Sequence, residues 1–135
     1  MKSDSKIFNP EAKVLHHLDR VLKYFEDNTV DPISLEIDPS NACNHSCPFC
    51  ISGHIHLSKY KGTEFFNRQM MSKEFLMKLV KDLSKTDIKA ISFTGGGEPT
   101  MNPHLKEAIK YLKANSNIDL GMFSNGTMLK RFNLF

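Results

Sequence analysis

The sequence predicts an α/β fold built on a parallel sheet, and three observations carry that prediction. Apolar segments of strand length alternate with segments of helical period. The crossovers between strands are long enough to hold a helix, which argues for parallel pairing with right-handed connections. Each strand also ends in an unusual motif: Cys43, Cys47 and Cys50 in NACNHSCPFC, then Gly95-Gly96-Gly97-Glu98-Pro99, then Ser124-Asn125-Gly126. In parallel sheets ligands bind beyond the carboxyl ends of the strands. Three such motifs on one edge therefore mark a site.

The elements follow in order. Asn9-Pro10 reads as an N-cap followed by proline at the first helical position. Val14, Leu15, Leu18, Val21, Leu22 and Phe25 then share one helical face. This is the pattern of a packing helix, and residues 1–30 are expected to form an N-terminal helical extension. His16 and His17 ride on it without an evident chemical role. Ile33–Ile37 alternates as a first strand, and the cysteine loop follows directly. Residues 51–70 show no period. They carry His54, His56, Tyr60, Phe65 and Arg68, either shaping the mouth of a site or forming a solvated connection.

Ser72 is placed to cap a second helix whose apolar face is Phe75, Leu76, Leu79, Val80 and Leu83, with Met71 available as a staple onto Leu76. Ile88–Phe93 reads as a buried strand. Asn102-Pro103 repeats the cap-plus-proline start, and Leu105, Ala108, Ile109 and Leu112 form the buried stripe of a third helix. Ile118–Phe123 is the third strand, and Lys130–Phe135 begins a further helix.

Bulk properties narrow the class. The chain has 135 residues, 40% apolar and 24% charged, as expected for one ordinary globular domain. A net charge of +3, spread along the chain, does not point to nucleic acid. No apolar run approaches the roughly 18 residues a membrane helix needs. The polar start MKSDSKIFNP lacks the apolar core of a signal peptide, so a cytoplasmic location is expected. Three clustered cysteines close no disulfide framework and suit metal ligation in a reducing compartment.

The motifs suggest chemistry, each with an alternative. Three thiolates on one short loop suit an iron–sulfur cluster with one iron left open. They also suit a structural zinc site completed by His45, His54 or His56. The glycine run lets backbone approach a ligand closely, or makes a tight turn. No GKS, GKT or GxGxxG accompanies it, and the carboxylate of Glu98 suits an amine better than a phosphate. Ser124 and Asn125 offer a hydroxyl and an amide for a ribose or carboxylate, or mark a turn.

Taken together, CxxxCxxC with Phe49 before its last cysteine, Gly96-Gly97-Glu98-Pro99, and Ser124-Asn125-Gly126 resemble the radical S-adenosylmethionine (radical SAM) enzymes. The pattern is closest to the molybdenum-cofactor cyclase and peptide-maturase type. Gly95 is an extra, tolerated glycine before the GGEP motif. The resemblance spans about Ile33 to Leu129. It implies that Cys43, Cys47 and Cys50 ligate a [4Fe-4S] cluster whose fourth iron chelates the methionine end of SAM. Gly96, Gly97 and Glu98 would lie along the methionyl amine, Phe49 near the adenine, and Ser124 and Asn125 on the SAM or substrate side. One electron from the cluster would cleave SAM to a 5′-deoxyadenosyl radical that abstracts hydrogen from substrate. The substrate would be a peptide, a cofactor precursor or a small metabolite, and the electron donor a flavodoxin or ferredoxin.

The family core is a partial (β/α)6 barrel, and six units at roughly 30 residues each need about 180 residues. Residues 31–135 are therefore expected to be an incomplete core, the N-terminal half of such a barrel from a longer enzyme, with an exposed sheet edge. A non-catalytic iron–sulfur or zinc-binding module is the alternative, and it leaves the glycine-glutamate motif without a role.

Overall fold

Three four-residue strands pair side by side in the computed structural model: β1 (Ser34–Ile37), β2 (Ala90–Phe93) and β3 (Asp119–Met122). The order is β1-β2-β3 and both pairings are parallel. Ile37 lies opposite Phe93, and Phe93 opposite Met122, so the three strands end level. The structure describes residues 14–52 and 69–132. Two compact units divide the chain, Met1–Asp31 and Pro32–Phe135.

The second unit holds the sheet. Strand burial alternates as the two-residue period requires. Ile37, Ile91 and Phe93 are buried, while Glu36 and Ser92 turn to the other face. The buried face is covered by α2 (Lys73–Leu83) and α3 (Leu105–Asn115). Leu76 and Val80 come from α2, and Leu105, Ala108, Ile109 and Leu112 from α3. At about 1.5–3 kcal/mol for each large apolar side chain removed from water, this cluster is the main source of stability. Phe132 of the short helix α4 (Leu129–Phe132) joins it.

Local signals act where expected at α2. Ser72 is its N-cap, and the Ser72 hydroxyl accepts from Phe75 N–H at 3.2 Å. Leu79 and Leu83 pack at the margin of the core, but Phe75 is exposed and lies outside the buried stripe.

Asn102 differs from the expected helix cap. The third helix begins at Leu105, and the residue before it, His104, makes no side-chain cap. Asn102 is instead fully buried. Its amide donates to Pro39 O at 2.9 Å and Met71 O at 3.0 Å, and its Oδ1 accepts from His104 N–H at 2.9 Å. It ties the exit of β1, the entry to α2 and the entry to α3 together.

The first unit holds a 3-10 turn over Val14–His17 that runs into α1 (Leu18–Asp27). Asn28 ends α1 in the left-handed conformation, φ 55°, with its N–H bonded to Tyr24 O. The expected packing face is not buried: Leu15, Leu18, Leu22 and Phe25 are all exposed, Phe25 by 76%. The buried residue of α1 is Arg20, whose guanidinium donates to Asp31 O. The Asn9-Pro10 start lies outside the described residues. Among the described residues no helix is long and apolar enough to cross a membrane.

Candidate active site

The loop after β1 has a fixed root. Pro39, Ser40 and Ala42 are buried. Ser40 pairs with Met70 in an isolated antiparallel bridge, and Asn41 N–H donates to Gln69 O at 3.0 Å. The Ser40 hydroxyl spans Ala42, accepting from its N–H at 3.0 Å and donating to its carbonyl at 3.2 Å. Cys43, Cys47 and Cys50 follow as free, half-buried thiols. Pro48-Phe49 turns the chain so that Cys50 N–H meets Cys47 O at 3.1 Å, and Phe49 stands 86% exposed at the tip.

No three His, Cys, Asp or Glu side chains among the described residues converge as a ready metal cage. The donor set fits an iron–sulfur centre: three thiols, none in a disulfide, on one loop. A zinc site would need a fourth ligand. Of the histidines proposed for it, His45 pairs its Nε2 with the Thr127 hydroxyl at 2.8 Å. His54 and His56 lie outside the described residues.

The glycine turn after β2 presses against that loop. Glu98 N–H donates to Ala42 O at 2.8 Å. A Cβ on Gly97 would sit 2.3 Å from the same carbonyl oxygen, so no side chain fits there. Gly95 holds φ +141°, a conformation that favours glycine. The extra glycine before the motif thus has a backbone role of its own. Gly96 is the open member of the three, because a Cβ there would meet nothing closer than the Ser52 hydroxyl oxygen at 3.6 Å.

Glu98 is the hub of the site. The residue is 2% exposed. Its Oε1 accepts from Thr100 N–H at 3.1 Å, from the Thr100 hydroxyl, and from the Ser124 hydroxyl at 2.8 Å. Its Oε2 accepts from Asn125 N–H at 2.8 Å. Burial alone would raise the Glu98 pKa, but these hydrogen bonds from Thr100, Asn125 and Ser124 outweigh it and hold the carboxyl below its ordinary value. A carboxylate has about four lone-pair sites, so these four donors account for most of its capacity. Glu98 faces protein donors here, where the sequence suggested an amine.

The turn after β3 closes the arrangement. Gly126, at φ +78°, lets it fold back, and Gly126 N–H donates to the Ser124 hydroxyl at 3.0 Å. The Asn125 amide donates to Asn44 Oδ1 at 2.9 Å and approaches Cys43 Sγ at 3.9 Å. All three strand-end motifs are thus brought into contact, while Phe49 stands exposed. Thr100, Asn44 and Thr127 are absent from the residues that sequence reasoning singles out. Thr100 carried a signal: Glu98 caps the short 3-10 turn Pro99–Met101, and proline at its first position is the usual start of such a turn. Asn44 and Thr127 act across more than eighty residues of chain and left no local pattern.

The family model described as the Radical SAM superfamily matches residues 37–133. A "Probable GTP 3′,8-cyclase" of Saccharolobus solfataricus is 33% identical over 96 residues, which cover 71% of this chain and 28% of that protein. Proteins of the same name from Saccharolobus islandicus and Thermococcus kodakarensis are each 32% identical, covering 71% and 72% of this chain and 28% of their own length. The chain therefore spans little more than a quarter of the curated relatives it matches. No solved structure matches it. With residues 37–133, well over half of the chain, matched by that family model, the chain belongs to the radical SAM superfamily.

Proposed function

We propose that this protein is the cluster-bearing part of a radical SAM enzyme, in which Cys43, Cys47 and Cys50 hold a [4Fe-4S] cluster and the neighbouring turns receive SAM. When bound, that cluster supplies the electron that cleaves SAM to a 5′-deoxyadenosyl radical for hydrogen abstraction. The observation that carries the reading is the Glu98 carboxylate, which joins the glycine turn to Ser124 and Asn125, beside the cysteine loop.

The chain's own residues divide the work. Gly97 brings the glycine turn hard against Ala42, the residue before Cys43, which supports a reading in which a ligand held by the thiols meets backbone of Gly95–Gly97. Backbone carbonyls there suit the methionyl amine, with Glu98 fixing the turn that presents them. Phe49, exposed beside Cys50, offers an apolar face for adenine. Ser124 and Asn125 border the SAM or substrate side. The free thiols suit a reducing cytoplasm, with a flavodoxin or ferredoxin as electron donor. The relatives' name makes GTP the first substrate to test, among peptides, cofactor precursors and small metabolites.

The test is anaerobic reconstitution of the full-length protein with iron and sulfide, followed by SAM and a strong reductant. Release of 5′-deoxyadenosine is expected. A loaded cluster that neither binds nor cleaves SAM overturns the enzyme reading. Tightly bound zinc without iron uptake would establish the non-catalytic module instead.

A further inference from the structure

Hydrogen bonds to the cysteine loop fall unevenly on its two limbs. On the Cys43 limb, Asn44 Oδ1 accepts from the Asn125 amide at 2.9 Å, and His45 Nε2 pairs with the Thr127 hydroxyl at 2.8 Å. Cys43 Sγ lies 3.9 Å from the same Asn125 amide nitrogen and accepts from His45 N–H at 3.4 Å. On the Cys47–Cys50 limb, the described bond, Cys50 N–H to Cys47 O, is internal to the loop. Among the described residues, the turn after β3 thus grips one limb and not the other.

We propose that Asn125 and Thr127 form a latch that sets the Cys43 limb before any cluster arrives, leaving the Cys47–Cys50 limb to close on it. The proposal rests on the cluster reading given above. Asn125 is a positioning residue, and its orientation is determined from two sides. Its N–H is held by Glu98 Oε2 at 2.8 Å, and its Oδ1 accepts from Thr127 N–H at 3.0 Å. With Oδ1 committed to Thr127, the NH2 end of the amide is the end turned to Asn44 and Cys43. The latch would also let the cysteine loop take up a cluster in one register. One ligand is placed in advance, so the remaining two have only a short loop to order. An amide N–H aimed at a ligating sulfur also raises a cluster's reduction potential, because the reduced cluster carries more negative charge.

The latch predicts different reactivity for the three thiols. In the metal-free full-length protein, pulse alkylation with iodoacetamide and site-resolved mass spectrometry should show Cys43 reacting more slowly than Cys47 and Cys50. Asn125→Ala removes the amide without placing a charge beside the thiol; Thr127→Val removes the hydroxyl at nearly constant shape. Each should raise the Cys43 rate several-fold while Cys47 and Cys50 stay at the parent rates, and Thr127→Ser should restore the slow rate. A uniform rise at all three cysteines means general loosening and overturns the latch, as does no change at Cys43. In the reconstituted protein, Asn125→Ala should lower the cluster's reduction potential, and an unchanged potential overturns the contact from Asn125 to Cys43. The alkylation result involves neither SAM nor turnover. It can therefore fail while 5′-deoxyadenosine is still released, or hold when none is.

Discussion

At the scale of single residues, Glu98 couples the site to pH. Its carboxyl is held below the ordinary value of 4.5 because donors from Thr100, Asn125 and Ser124 outweigh the opposing effect of burial. The folded state therefore binds a proton less readily than the unfolded chain does. The stability this group contributes is fully present above pH 4.5 and is lost as pH falls through the depressed folded value. Glu98→Gln should lower the urea midpoint at neutral pH, and its gap from the parent should narrow below pH 4.5. A gap that stays constant across that range would remove Glu98 ionisation from the account. Much of this residue was legible: a carboxylate after a glycine run at a strand end announces a site. Its partners were less so, because Ser124 and Asn125 lie in the turn after another strand, and a spacing rule does not show which strand-end groups meet.

At the scale of elements, two polar residues illustrate the difference between local and tertiary roles. Ser72 caps α2 through a bond to a residue three positions on, and the sequence pattern alone identifies it. Asn102 resembles a cap for the same local reasons, but the backbone takes a further turn before α3 begins. Its side chain is then free to satisfy carbonyls of two distant segments. The two should differ on removal. Ser72→Ala is expected to cost about 1 kcal/mol, the usual worth of an N-cap. Asn102→Ala should cost more, about 1–3 kcal/mol for each buried carbonyl deprived of its donor. Urea unfolding of the two variants measures this directly, and equal losses would show that Asn102 is not a brace. The face of α1 shows the converse limit. Periodicity correctly marks Leu15, Leu18, Leu22 and Phe25 as one stripe, but a stripe does not say whether anything covers it.

At the scale of the whole molecule, the sheet separates what stabilises the fold from what performs its chemistry. The core cluster lies on the face covered by α2 and α3, whereas the cysteines lie on a loop beyond the strand ends, half-buried and outside that cluster. Cys47→Ala should therefore abolish iron loading while leaving the unfolding midpoint of the metal-free protein within about 0.5 kcal/mol of the parent, as for substitutions away from the core. A large loss of stability would place Cys47 in the structure rather than the ligand set. The parallel register has a further consequence, in time rather than in space. Ser34 pairs with Ala90, and Ala90 with Asp119, so the first pairing spans nearly twice as much chain as the second. Each doubling of a closed loop costs about 0.6 kcal/mol of entropy. The β2–α3–β3 half is thus favoured to form first during folding, with β1 docking last. Asn125 and Thr127, which follow β3, would then meet the Cys43 limb only in that final step, so the metal-free fold is complete before the limb is set.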